Sequence, residues 1–184
     1  MNKKVISIIL RYLMIILVGL GNLYILYKIF HPLTFYSSSF LLSLFGEIET
    51  FYGVNTFLFN TTAVEVVNAC VAGSAYYLLF ILCLSTPNLN IAKRIAVLAF
   101  SWIIFLIINV IRIALMTLIA GTIYFESIHL FFWYLLSLVF VVGVWFLSVK
   151  IFSIKETPVY SDITFLIEQI KYPKRKSKNN KSRK

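Results

Sequence analysis

The stretch from Ile95 to Gly121 is an uninterrupted apolar run with a single charged side chain, Arg112. A helix needs about 20 mostly apolar residues to cross the ~30 Å hydrocarbon layer of a bilayer, and this run exceeds that need. Three other windows also reach it. Val5 to Tyr27 carries only Arg11, near its start; Val66 to Thr86 carries no charge; Ile128 to Val149 has no Asp, Glu, Lys or Arg and one histidine, His129. The first window is long, weakly bounded and followed by no small-residue cleavage site, so it reads as a retained helix and not as a signal peptide. The expectation is an all-α polytopic membrane helix bundle of about four transmembrane helices, with spans near 5–27, 66–86, 95–121 and 128–149.

Composition agrees. The 184 residues are 60% apolar and only 13% charged, about half the charge of an ordinary soluble domain. High hydrophobicity also excludes disorder in the bulk of the chain. The net charge of +10 would suit nucleic acid on a polar chain, but here the basic residues are clustered around the spans. Lys3, Lys4 and Arg11 precede or open the first span, Lys93 and Arg94 separate the second and third, and Lys150, Lys155 and the tail follow the fourth. Lys28 alone falls on the opposite side. Basic loops stay cytoplasmic, so both termini are expected in the cytoplasm of a multi-pass membrane protein, with no nucleic-acid partner.

Residues 30–62 then face outward. They hold Pro32, the Ser37-Ser38-Ser39 run, Gly46, Gly53, Glu47 and Glu49, and read as an outer loop against the membrane surface. A crossing by Leu33–Phe45 would upset the parity of the spans, so this segment is not expected to cross, although re-entry stays open. Asn60-Thr61-Thr62 matches the common glycosylation acceptor triplet. The membrane domain is placed at 1–154 and a basic cytoplasmic tail at 155–184. Lys171 to Lys184 holds eight basic residues and no acidic one; beside a membrane such a run attracts anionic lipid by roughly 1 kcal/mol per basic residue. Val159 to Ile170 suggests a surface helix with Phe165, Leu166 and Ile170 toward the bilayer.

Ionisable and reactive side chains inside spans are costly and tend to be functional. Four stand out: Cys70, Arg112, His129 and, at a margin, Glu65. With the orientation set by loop charges, Cys70 falls roughly 6 Å below the outer boundary of its span at 1.5 Å per residue. Arg112 lies in the outer half of the third span, and His129 opens the fourth at the outer interface. Three reactive groups from three helices therefore converge on the outer leaflet. Thiolates are the nucleophiles of cysteine chemistry and are favoured by neighbouring cations. Histidine moves protons to and from a leaving group, and the five donors of arginine suit a developing oxyanion. Asn109 shares the face of Arg112 three residues on and is placed to hold the guanidinium or a substrate carbonyl. Gly73, Ser74 and Tyr77 lie on the face of Cys70, with small residues beside the thiol. Cys83, about 20 Å further along the same helix, is too far to bond Cys70 and reads as structural. No Cys-x-x-C, metal-ligand spacing or Gly-rich phosphate loop is present, and no cofactor is expected.

The segment Val66-Val67-Asn68-Ala69-Cys70-Val71-Ala72-Gly73-Ser74, then Asn109-Val110-Ile111-Arg112-Ile113, then His129 at the head of a span resembles the archaeosortase/exosortase family over roughly Glu65 to Leu130. Many bacterial members carry Cys-Ser-Gly; here Gly73 follows Cys70 by three residues, which is closer to the archaeal side. The chain is a short core of four spans where others have about eight. The resemblance implies a cysteine peptidase or transpeptidase acting on exported surface proteins with a C-terminal sorting signal, with lipid anchoring as a coupled step. It implies Cys70 as nucleophile through a thioester, Arg112 as stabiliser of thiolate or oxyanion, and His129 as general acid and base. Asn109 and Glu65 are supporting positions. The competing reading is a non-enzymatic scaffold or accessory subunit of a secretion or transport complex, in which Arg112 pairs with Glu65 and Cys70 merely packs. A plain intramembrane protease is a third.

Overall fold

The computed structural model describes residues 3–132, 137–156, 158, 160, 162–164 and 167. The chain is mostly helical: α1 (Lys3–Leu20), α2 (Tyr24–Ser43), α3 (Asn68–Val71), α4 (Gly73–Leu84), α5 (Ile91–Leu118), α6 (Phe125–Phe131) and α7 (Ser137–Ile151). Among the described residues one helix, α5, is long and apolar enough by itself to cross a membrane. Asn90 caps it by accepting the Lys93 N–H at 2.7 Å, the usual duty of a helix-start asparagine.

The expected first span does not continue straight to Tyr27. Asn22 and Leu23 take left-handed backbone angles, with φ of 48° and 57°, and α1 and α2 meet at a bend of 69°. Gly21 and Asn22 supply the break, since both tolerate the end of a helix better than apolar residues do. The expected outer loop 30–62 is accordingly helix as far as Ser43. Pro32 lies inside α2, where it lacks the N–H that would bond back to the Lys28 carbonyl.

The all-α expectation needs a second correction. Residues 48–65 form a three-stranded antiparallel sheet in the order β1-β2-β3, with β1 Ile48–Phe51, β2 Thr56–Phe59 and β3 Thr62–Glu65. Asn55 and Asn60 adopt φ of 52° and 51° at the two turns, a conformation that asparagine accepts more readily than most residues. Asn60 Oδ1 also accepts the Glu47 N–H at 3.2 Å. Along β2, Phe57 and Phe59 are buried while Thr56 and Leu58 are less so. This alternation turns one face of the strand toward the helices. β1 lies against α2, and Phe57 meets Phe35 of α2 at 6.0 Å between ring centres.

Aromatic rings join the helices at the centre. Phe30 of α2 stacks on Tyr76 of α4 at 3.7 Å and meets Trp102 of α5 edge-on at 5.2 Å. Trp102 Nε1 donates to the Tyr76 carbonyl at 3.2 Å. A buried pair, Ser101 and Ser148 at 2.9 Å, links α5 to α7, as short polar side chains do between apolar helices.

At one end of the bundle two arginines close the C-terminus of α4. Arg94 donates to the carbonyls of Cys83, Leu84 and Thr86, and Arg11 donates to Leu84 and Thr86 at 2.9 and 3.2 Å. Helix ends leave carbonyls unsatisfied and carry partial negative charge, so cations there are favoured. Arg11 also pairs with Asp162 at 2.9 Å, which ties the segment after α7 to α1. Most of the expected tail, including Phe165, Leu166, Ile170 and the basic run from Lys171, lies outside the described residues.

Candidate active site

The expected second span is not one helix. α3 is a single turn that ends at Ala72, whose φ of 56° and ψ of 46° are left-handed, and α4 restarts at Gly73. A residue with a Cβ pays of order 1 kcal/mol or more in that region, so this bend is held by its surroundings. Gly73 is required by close packing: a Cβ there would lie 2.6 Å from the Tyr27 ring. Cys70 thus stands on a short turn before a break, one residue from the end of α3.

The break leaves carbonyls of α3 without helical partners. Asn109 of α5, buried to 2% exposure, donates from Nδ2 to the Cys70 carbonyl at 2.9 Å and, more weakly, to that of Val71 at 3.5 Å. Arg112 Nη2 donates to the same Cys70 carbonyl at 3.2 Å. Asn109 therefore grips the backbone of the cysteine turn. On the other side, His31 Nε2 donates to the Val66 carbonyl at 3.0 Å and fixes the link between β3 and α3. Nothing in the sequence pattern marked His31, because it sits in what reads as a loop.

Cys70, Arg112 and His129 line one open cavity of about 290 Å³, and Glu65 borders it as the last residue of β3. These four come from α3, α5, α6 and β3. His129 lies parallel to and offset from the Phe125 ring, one turn earlier on α6, at 5.5 Å between ring centres and 5° between ring planes. The rest of the wall is largely apolar, with Ile113 and Met116 from α5 and Phe125 and Phe132 from the α6 segment. Thr62, Ala63 and Val64 add to it from β3, and nothing in the sequence marked them as cavity residues. The volume is near the lower limit of ligand pockets, enough for a few side chains and too small for a folded domain. Cys83 is elsewhere: it is fully buried and its Sγ donates to the Arg94 carbonyl at 3.4 Å.

A thiol, a guanidinium, an imidazole and a carboxylate around one apolar cavity can support nucleophilic attack, charge stabilisation and proton transfer. No family model, curated protein or solved structure matches the chain.

Proposed function

We propose that this chain is a membrane-embedded cysteine transpeptidase or peptidase of the archaeosortase/exosortase kind, which processes C-terminal sorting signals of exported surface proteins. The observation that carries the reading is the meeting of Cys70, Arg112 and His129, from three separate helices, on one cavity. Cys70 attacks the substrate carbonyl, and Arg112 offsets the charge on the resulting oxyanion. His129 passes a proton to the leaving amine as the peptide C–N bond breaks. The substrate is left as a thioester on Cys70. An incoming hydroxyl or amine, of a lipid acceptor for example, or water then attacks that thioester while His129 takes the proton, and the thiolate is released.

In this reading the chain crosses the membrane four times, α1 and α2 together forming one bent crossing, with both termini cytoplasmic and the cavity facing outward. Spacing along α5 supports the arrangement. Arg94, in the arginine cluster at one end, and Arg112, in the cavity, are eighteen positions apart in the sequence, or ~27 Å along a helix at 1.5 Å per residue. That is close to the ~30 Å of the hydrocarbon layer. The basic tail rests against anionic lipid on the cytoplasmic face.

The test is co-expression with an exported protein that ends in an apolar helix and a basic cluster. Cys70→Ala should abolish its processing, and Arg112→Gln and His129→Gln should each slow it by about 10²-fold or more. Undiminished processing by Cys70→Ala defeats the proposal. The mass of the new substrate C-terminus separates a lipid adduct from a free carboxylate.

A further inference from the structure

We infer that the free edge of β3 is the docking strand for the substrate, which binds as an extended peptide paired to the main chain of Ala63 and Glu65. The inference rests on the reading of Cys70 as nucleophile and adds how the peptide reaches it.

The argument begins with register. Thr56 faces Glu65 and Phe57 faces Val64 across β2 and β3, and the Val66 N–H donates to the Asn55 carbonyl at 2.8 Å, one step beyond. In antiparallel ladders hydrogen-bonded and non-hydrogen-bonded pairs alternate. Val64 and Thr62 therefore bond across to Phe57 and Phe59. The N–H and C=O groups of Ala63 and Glu65 point the other way, off the sheet. Among the described residues they meet no backbone partner there. β3 is an edge in the order β1-β2-β3, and the opposite edge, β1, is the one packed beside α2.

An edge of unpaired amides is a template for another strand, and adding a strand is a general mode of peptide recognition. All four β3 residues line the cavity that holds Cys70, Arg112 and His129. A chain laid along β3 is therefore delivered to the thiol in an extended conformation. The apolar wall of Ile113, Met116 and Phe132 receives alternate side chains, while main-chain bonds to Ala63 and Glu65 set the register. Such bonds carry little sequence information, so this edge selects for extension, and the apolar wall for side-chain size.

The experiment measures alkylation of Cys70 in the full-length protein in lipid nanodiscs, read by mass spectrometry of the Cys70 peptide. One probe is acetyl-tetraalanyl chloromethyl ketone, and the other is chloroacetamide, which has no peptide part. In both, Cys70 Sγ displaces chloride and forms a thioether. The peptide should raise the rate about 30- to 150-fold beyond the intrinsic difference of the two reagents towards a free thiol, as two to three net hydrogen bonds imply. N-methylation of the probe at alternate residues should remove that gain, and at the intervening residues should leave it. Ala63→Pro removes an N–H that the β2 ladder does not use; it should lower the ratio of the peptide rate to the chloroacetamide rate, both measured in that variant, to the ratio of the two reagents towards a free thiol. No gain from the peptide, or equal loss from N-methylation at every position, overturns the edge-docking inference and leaves the nucleophile reading standing. Failure of chloroacetamide to reach Cys70 overturns both. A dimer in the nanodisc that Ala63→Pro converts to monomer assigns the edge to a second copy and also overturns the inference.

Discussion

Asn109 and Arg112, one turn apart on α5, donate to a single acceptor, the main-chain carbonyl of Cys70, at 2.9 and 3.2 Å. The contact joins the longest helix of the chain to the turn that carries the candidate nucleophile. It exists because the backbone breaks at Ala72 and frees the carbonyl to accept.

Removing Asn109 should expose that dependence. Asn109→Ala leaves buried carbonyls short of a donor, at a cost of about 1–3 kcal/mol. Asn109→Asp, which sets a carboxylate against a carbonyl, should cost more. Thermal unfolding in detergent checks both. Unchanged stability in both variants would mean that the break at Ala72 is held by something else.

The break itself offers a second prediction of opposite sign. Ala72 is left-handed, so Ala72→Gly should raise stability by about 1 kcal/mol through relief of backbone strain. Gly73→Ala should lower it, since the new methyl meets the Tyr27 ring. Adding Tyr27→Ala should return part of the loss in Gly73→Ala, measured as a double-mutant cycle.

At the far end of the bundle, Asp162 and Arg11 are 4% and 12% exposed at their side chains. Breaking a buried pair by removing one partner costs about 3–5 kcal/mol. Asp162→Ala should fall near the lower figure, because Arg11 keeps the Leu84 and Thr86 carbonyls. Limited proteolysis should then cut first after α7, where the lost pair had tied the chain to α1. The double variant Arg11→Met with Asp162→Leu should recover most of the stability.

The two cysteines should differ in reach. A membrane-impermeant maleimide applied to the outside of cells should modify Cys70, which is partly exposed on its cavity. Cys83 should react only after denaturation, because it is buried with its Sγ on the Arg94 carbonyl. Labelling of Cys70 from the cytoplasmic face alone would reverse the proposed orientation.

The cavity was legible in the sequence because its chemistry is conspicuous there. Cys70, Arg112, His129 and Glu65 stand out against apolar neighbours, and the loop charges lead one to expect the first three at one depth of a membrane. Asn109 was visible as the residue one turn from Arg112, but its partner was not, since nothing in Val71-Ala72-Gly73 announces a left-handed alanine. The bend between α1 and α2 was hidden because hydropathy runs on through Gly21, Asn22 and Leu23. The sheet was missed for a related reason. Its strands are four residues each, too short for a period of two to stand clear, and they lie among glycines, asparagines and glutamates that read as loop. Arg94 was read only as a topological charge; its grip on the end of α4 depends on which carbonyls the fold leaves open.

The shared grip on one carbonyl has a mechanical consequence. Asn109 and Arg112 belong to the same helix, so when α5 tilts or slides, the cysteine turn is carried along with the guanidinium. The spacing between the cysteine backbone and the cation is thereby preserved when the helix moves against its neighbours.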